Sequence, residues 1–245
     1  MITALDHVVL RASFVDGAVS AYETMFGRRA QDGRFRLRNV GLVIEDEAAT
    51  AHLSAIVFAT ESLDDAARLL ERRGVPGKRE AERLVLARAA THEVPIALIE
   101  RAGEPQPSSL VGADEAASIV ALDHMVIRSP NPERAIAFYG SRLGLDLRLD
   151  RSNPQWNTRL LFFRCGDLVV EIAHDLNAGV SDKPDRIWGL SWRTPDVARC
   201  HARLSKAGVE LSVPRDGRRS GTQVFTVLSH TANVPTIVIG GLGRW

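Results

Sequence analysis

Apolar and polar residues alternate in short runs along this chain, and each first run is followed by a stretch whose apolar positions recur every three to four residues. Ile2–Arg11 alternates as a strand. Asp16 is placed to cap a helix with Val19, Tyr22 and Phe26 inward, and Gly27 is its stop. Arg34–Val40 and Gly41–Asp46 then read as two strands. The same order starts again at Leu53–Ala59. Ser62 caps a helix with Leu63, Ala66 and Leu70 inward, Gly74 ends it, and Glu82–Ala87 and Pro95–Glu100 supply strands. A third run opens with Leu122–Arg128. Asn131 caps its helix, Pro132 suits the first turn, and Ile136, Tyr139 and Leu143 face inward. Strands follow at Leu145–Leu149, Thr158–Cys165 and Leu168–Ala173. A fourth run opens with Ile187–Arg193, and Asp196 caps a helix with Val197, Cys200 and Leu204 inward, ended by Gly208. Val209–Val213, Gln223–Leu228 and Thr236–Ile239 close it.

The halves repeat each other. Ala4–Arg11, ALDHVVLR, returns as ALDHMVIR at Ala121–Arg128, an offset of 117 residues that Tyr22 and Tyr139, and Gly27 and Gly144, also keep. Two copies of one unit account for a repeat held across a strand, a helix and a glycine stop. The pattern predicts an α+β protein of four strand–helix–strand–strand–strand (βαβββ) modules in two pairs, with mainly antiparallel sheets and the helices outside. The expected domains are 1–103 and 119–245. Arg101–Ser118, rich in proline, glycine and serine, is the linker between them, with 104–118 as its span.

Composition narrows the function. Thirty-one basic and thirty acidic side chains leave a net charge of +1, which argues against a general nucleic-acid or membrane-surface binder. No apolar run reaches membrane-spanning length, and the first strand follows Met1 almost at once. Cys165 and Cys200 read as buried free thiols, which fits a reducing, cytoplasmic location.

Strand alternation supplies the candidate chemistry. Met125 and Ile127 suit the helix side of their strand, so His124 shares the opposite face with Val126 and Arg128. The same parity puts Glu171 on a face with Val169 and Ala173. A glutamate between apolar strand neighbours is costly to bury without a partner. An imidazole and a carboxylate on one concave face are common ligands for a divalent ion. His7 and Glu45 are the corresponding pair of the first copy.

The fourfold order, with LDHxVxR opening a module and LVVEIA closing one, resembles the vicinal oxygen chelate superfamily. That group includes glyoxalase I, extradiol dioxygenases, methylmalonyl-CoA epimerase, fosfomycin resistance enzymes and the metal-free bleomycin resistance proteins. The resemblance implies glyoxalase-like domains whose first strand offers a histidine and whose last strand offers a glutamate to a metal. It makes His124, Glu171, His7 and Glu45 the expected ligands of Fe²⁺, Mn²⁺, Ni²⁺ or Zn²⁺. It implies a lyase, isomerase or dioxygenase acting on a small substrate with adjacent oxygens, or else a metal-free binding protein. The corresponding places fall near Gly189 and Val238 in the fourth module, and near Ala55 and Leu98 in the second; none of these can ligate through a side chain. An extradiol dioxygenase needs the fourth-module ligands and is therefore disfavoured. Four ligands would meet only if the first and third modules faced each other, or if two chains of a homodimer swapped modules.

His230, in the loop LSHTANVPT, is the candidate third ligand or general base, against the plainer reading of a solvated loop histidine. His174 reads as an exposed strand end and His201 as a packing residue. Trp156, Trp188 and Trp192 are candidates to clasp a flat, aromatic substrate, with Trp188 and Trp192 on one strand face and a wider cavity at Gly189. Arg128 and Arg193 are the cations nearest the pair, as substrate contacts or as anchors for the carboxylate.

Overall fold

The computed structural model describes the chain except residues 48–49, 102, 104–106, 111–113 and 242–245. The first module comprises β1 (Ile2–Ala12), α1 (Val15–Phe26), β2 (Arg34–Arg36) and β3 (Gly41–Asp46). The second comprises β4 (His52–Thr60), α2 (Leu63–Arg72), β5 (Gly77–Glu80), β6 (Arg83–Leu86) and β7 (Ile96–Glu100). The third comprises β8 (Ala121–Arg128), α3 (Pro132–Ala135) with a π-helical continuation over Ile136–Arg142, β9 (Asp146–Asn153), β10 (Thr158–Cys165) and β11 (Leu168–Asp175). The fourth comprises β12 (Arg186–Arg193), α4 (Val197–Lys206), β13 (Arg215–Asp216), β14 (Gln223–Val227) and β15 (Thr236–Gly240). This is the α+β order expected, with one strand fewer among the described residues of the first module.

The strands form a seven-stranded sheet, β2-β3-β1-β4-β7-β6-β5, and an eight-stranded sheet, β13-β14-β15-β12-β8-β11-β10-β9. First and last strands of the later modules pair in parallel: β4 with β7, β8 with β11, β12 with β15. The chain divides into two compact units. One contains Met1–Val8, Ser54–Glu104 and His124–Trp188; the other contains Val9–Leu53, Pro105–Asp123 and Gly189–Trp245.

Local chemistry explains the helix ends. Ser62, Asn131 and Asp196 each accept a backbone N–H from three residues on, as capping requires. Asp16 does not cap. Its helix begins at Val15 behind Phe14, and Asp16 sits in the first turn, where its charge meets the positive end of the helix dipole. Gly27 and Gly144 adopt left-handed φ of 67° and 79° at the helix stops, conformations that side-chain-bearing residues resist. The π-helical segment turns Phe138 and Tyr139 fully inward together with Leu143, whereas Ile136 is only half-buried. A wider turn shifts the inward face away from the regular 3.6-residue spacing.

Beside Tyr139 lies a buried polar cluster. Arg134 Nη2 donates to Asp185 Oδ1 at 2.7 Å and to the Lys183 carbonyl at 2.8 Å, and Asp185 N–H donates to the His92 carbonyl. Burial pushes the Asp185 carboxyl above its usual range against the pull of Arg134. Burial and then the Arg134 charge hold the His92 imidazole below its usual 6.5. His92 is thus neutral in the fold and protonates more readily when unfolded. Its stabilising contribution is full above the unfolded value and is lost as pH falls below it. His92 has φ 53°, which asparagine tolerates. Denaturant melts of His92→Asn below pH 6.5 should therefore lose stability less steeply than wild type. Equal slopes would remove His92 as the source.

Cys165 and Cys200 are buried free thiols, and burial pushes Cys165 up to about 12. No helix among the described residues is long and apolar enough to cross a membrane.

Candidate functional site

The registers of β8 to β11 fix which side chains share the face opposite the helix. Val169 stands opposite His124, Glu171 opposite Val126, and Ala173 opposite Arg128. Across β10, Arg164 pairs with Val169, Phe162 with Glu171 and Leu160 with Ala173. Across β9, Leu149 faces Phe162 and Arg151 faces Leu160, with an irregularity after Phe162 that opens the strand. Three cross-strand rows result: Arg164–Val169–His124, then Leu149–Phe162–Glu171–Val126, then Arg151–Leu160–Ala173–Arg128. The helix face of the same strands buries Met125, Ile127, Val170, Ile172, Leu161 and Phe163.

The open face is largely covered at the pair and exposed toward β9. Its His124 and Glu171 side chains are 17% and 12% exposed, and Leu149 is 45% exposed. His124 Nε2 lies 3.6 Å from Glu171 Oε2. Strand parity brings this expected pair together. At the rim, the Arg128 guanidinium lies over the Trp188 ring, 4.2 Å from its centroid. Such a stack is attractive and holds both groups in place. Trp156 is half-exposed in the turn between β9 and β10.

The first copy differs. Phe35 packs on Tyr22 and pairs with Leu42, as Phe163 packs on Tyr139 and pairs with Val170. The residue matching Glu171 is therefore Val43, not Glu45. Glu45 lies one same-face step further and pairs with Arg11 at 3.5 Å, where Glu47 joins it. His7 and Glu45, the expected pair, each have another partner. His7 Nδ1 instead bonds Asp6 at 2.6 Å, its Nε2 is buried without a hydrogen-bond partner, and Arg101 holds the far oxygen of Asp6. The offset between the copies is 117 residues at Gly27 and Gly144 but 128 at Phe35 and Phe163, because the third module carries β9 in that stretch, so the repeat spacing of the first strands does not carry over to the last ones.

The fourth module is also corrected in detail. Ser129 N–H bonds the Ala173 carbonyl and Thr194 N–H bonds the Ile239 carbonyl, so Arg193 matches Arg128, Gly189 matches His124, and Ile237, not Val238, matches Glu171. Gly189 is not beside open space: a Cβ there would lie 2.7 Å from the Pro235 carbonyl oxygen. The second-module place is corrected too. Glu100 accepts from Leu63 N–H at the start of α2, so Leu98, of the same parity, faces the helix.

Trp192, expected among the substrate-clasping tryptophans, lies in the core. It is fully buried, with Phe26 edge-on at 4.8 Å, while Trp188 is 40% exposed; the strand passes into the second compact unit between them. Arg193 Nε donates to buried Asp123 at 2.9 Å. His230 has φ 61° and its Nδ1 is 2.9 Å from the Ser229 hydroxyl, in the compact unit that lacks His124. His174 is buried, with Nδ1 on the Ser129 carbonyl, rather than an exposed end. His201 packs on Phe225 as expected.

His124 and Glu171 supply an imidazole and a carboxylate, the donor chemistry of a divalent-ion ligand pair. Among the described residues no group of three His, Cys, Asp or Glu side chains converges on one point. The pair fits two corners of a coordination shell; water or substrate oxygens would fill the rest.

Residues 123–226 match the family described as the Glyoxalase/Bleomycin resistance protein/Dioxygenase superfamily. A halotolerant catechol dioxygenase shares the fold at TM-score 0.74 and 13% identity, over 99% of this chain and 87% of its own. The Mn(II)-bound glyoxalase of Novosphingobium aromaticivorans gives TM-score 0.73 at 15% identity, over 99% and 83%. A 4-hydroxymandelate synthase variant from Streptomyces coelicolor gives 0.75 at 10%, over 100% and 94%. No curated protein sequence matches the chain. The family match thus covers the third module and most of the fourth, and the chain as a whole shares the fold of these vicinal oxygen chelate structures.

Proposed function

We propose that the protein is a vicinal oxygen chelate-type enzyme whose working face is the open face of β8 to β11. The 3.6 Å approach of His124 Nε2 to Glu171 Oε2, both partly exposed on the face opposite the helix, carries this reading. Val43 replaces the carboxylate in the first module, and Gly189 and Ile237 replace both donors in the fourth, which leaves the third module as the seat of chemistry.

His124 and Glu171 would hold a divalent ion, which supplies Lewis-acid stabilisation of negative charge on substrate oxygens. Phe162, Leu149 and Leu160 offer apolar surface for the body of a small substrate, and Trp188 stands at the rim. Glu171 also provides a carboxylate able to accept a proton or hydrogen bond beside the imidazole. The Mn(II)-bound glyoxalase of the same fold supports the metal reading. The absence of a converging third donor among the described residues supports a second reading, a metal-free binder of small molecules on the same face.

Titration with Mn²⁺, Fe²⁺, Ni²⁺ and Zn²⁺, beside His124→Ala and Glu171→Ala, separates the two. The metal reading expects modest, saturable binding by wild type and at least about tenfold weaker binding by each variant, since two-ligand sites have little affinity to spare. Equal binding by all three proteins, or none, rejects the metal reading in favour of the metal-free one.

A further inference from the structure

One position recurs in three modules with three different fates. Arg11, Arg128 and Arg193 close the first strands of the first, third and fourth modules at equivalent places. Arg11 pairs with Glu45 and Glu47. Arg193 pairs with Asp123. Arg128 stands opposite Ala173, where the first copy has Glu45. Among the described residues no carboxylate pairs with Arg128, and its guanidinium lies against the face of Trp188. The exposed guanidinium is therefore fixed in position yet keeps its charge and its donor edge uncommitted. Arg151, in the same cross-strand row and likewise without a carboxylate partner among the described residues, adds a second cation to that level of the face.

From these observations we infer that the ligand of this face is an anion, a small molecule whose carboxylate or phosphoryl group docks on Arg128 at the Trp188 rim while its apolar body lies against Leu160 and Phe162. The inference rests on the proposed working face and adds the class of its ligand. The spacing suits a compact molecule. Glu171 is opposite Val126, one same-face step or about 7 Å along the strand from Arg128, so a single aromatic ring spans the distance. A guanidinium matches the two oxygens of a carboxylate or phosphoryl group, and stacking on the indole reduces the entropy lost on binding.

Benzoate, phenyl phosphate and neutral benzamide are the probes, followed by the shift of the Trp188 indole N–H in proton–nitrogen spectra and assigned with Trp188→Phe. At least one of the two anions should shift that signal saturably, and the tighter of them identifies the preferred group. Benzamide should not. Arg128→Gln should weaken anion binding about tenfold or more, Arg128→Lys less, and Arg11→Gln under about twofold, as expected for loss of one charge-assisted contact. Dispersed spectra of the Arg128 variants report that they fold. The inference is overturned if benzamide binds as well as the anions, if Arg128→Gln and Arg128→Lys both bind like wild type, or if neither anion moves the signal. Failure here leaves the ion titration of His124 and Glu171 untouched, so the two readings fall separately.

Discussion

Trp192→Ala is expected to lower the unfolding free energy by about 3–5 kcal/mol, measured by denaturant melts, because it removes the largest fully buried side chain. The indole packs edge-on against Phe26, which in turn packs against Tyr22 and Phe35. Its Nε1 is buried without a hydrogen-bond partner, a cost that truncation relieves. The loss should therefore fall toward the lower end of that range. Trp188→Ala, on the same strand but 40% exposed, should cost under about 1 kcal/mol, chiefly the stack with Arg128. Equal losses for the two would mean that Trp188 also carries the core.

Asp185→Ala should cost about as much, roughly 3–5 kcal/mol, for a different reason. The Asp185 side chain is fully buried and Arg134 is 17% exposed, so removing the carboxylate leaves a largely desolvated guanidinium. The informative comparison is the double variant Asp185→Ala with Arg134→Met. Removing both charges should restore part of the loss, because an apolar replacement needs no partner. A double variant less stable than Asp185→Ala alone would show that Arg134 acts through its bond to the Lys183 carbonyl and not through the ion pair.

Much of this architecture is legible in the chain. Thr158–Cys165 is a strand with the expected bounds because its alternation is clean, and Ser62, Asn131 and Asp196 cap because their side chains precede apolar helical spacing. Other parts carry no such mark. β5, GKRE, is exposed at every residue, so no apolar alternation announces it. The expected strand at Val209–Val213 is reduced to an isolated bridge at Leu211, with the Ser212 hydroxyl bonded to Thr226 N–H and Pro214 following. The site shows the same division. Parity alone placed His124 beside Glu171. It does not place Glu45, because β9 has no counterpart between α1 and β2 and the spacing of the copies changes there. The fates of Arg11, Arg128 and Arg193 depend on what stands opposite them, which lies on other strands.

The connection between the halves bears on how the chain avoids self-association. Arg28 donates to the Ser108 carbonyl, Arg29 N–H to the Ser109 carbonyl, and Ser108 both accepts from Arg36 N–H through its hydroxyl and donates its own N–H to the Arg36 carbonyl. The two Ser108 bonds satisfy Arg36 on the outer side of β2, the terminal strand of its sheet, where Arg34 is already bonded to Gln31. The first module, one strand short, thus has its exposed rim shielded by residues that a sequence reading assigns to a passive tether. A fragment ending before Ser108 would leave the outer N–H and carbonyl of Arg36 unpaired, and unpaired strand edges recruit neighbouring chains. The tether is in this sense a guard against aggregation, and it ties the solubility of the first half to the presence of residues beyond it.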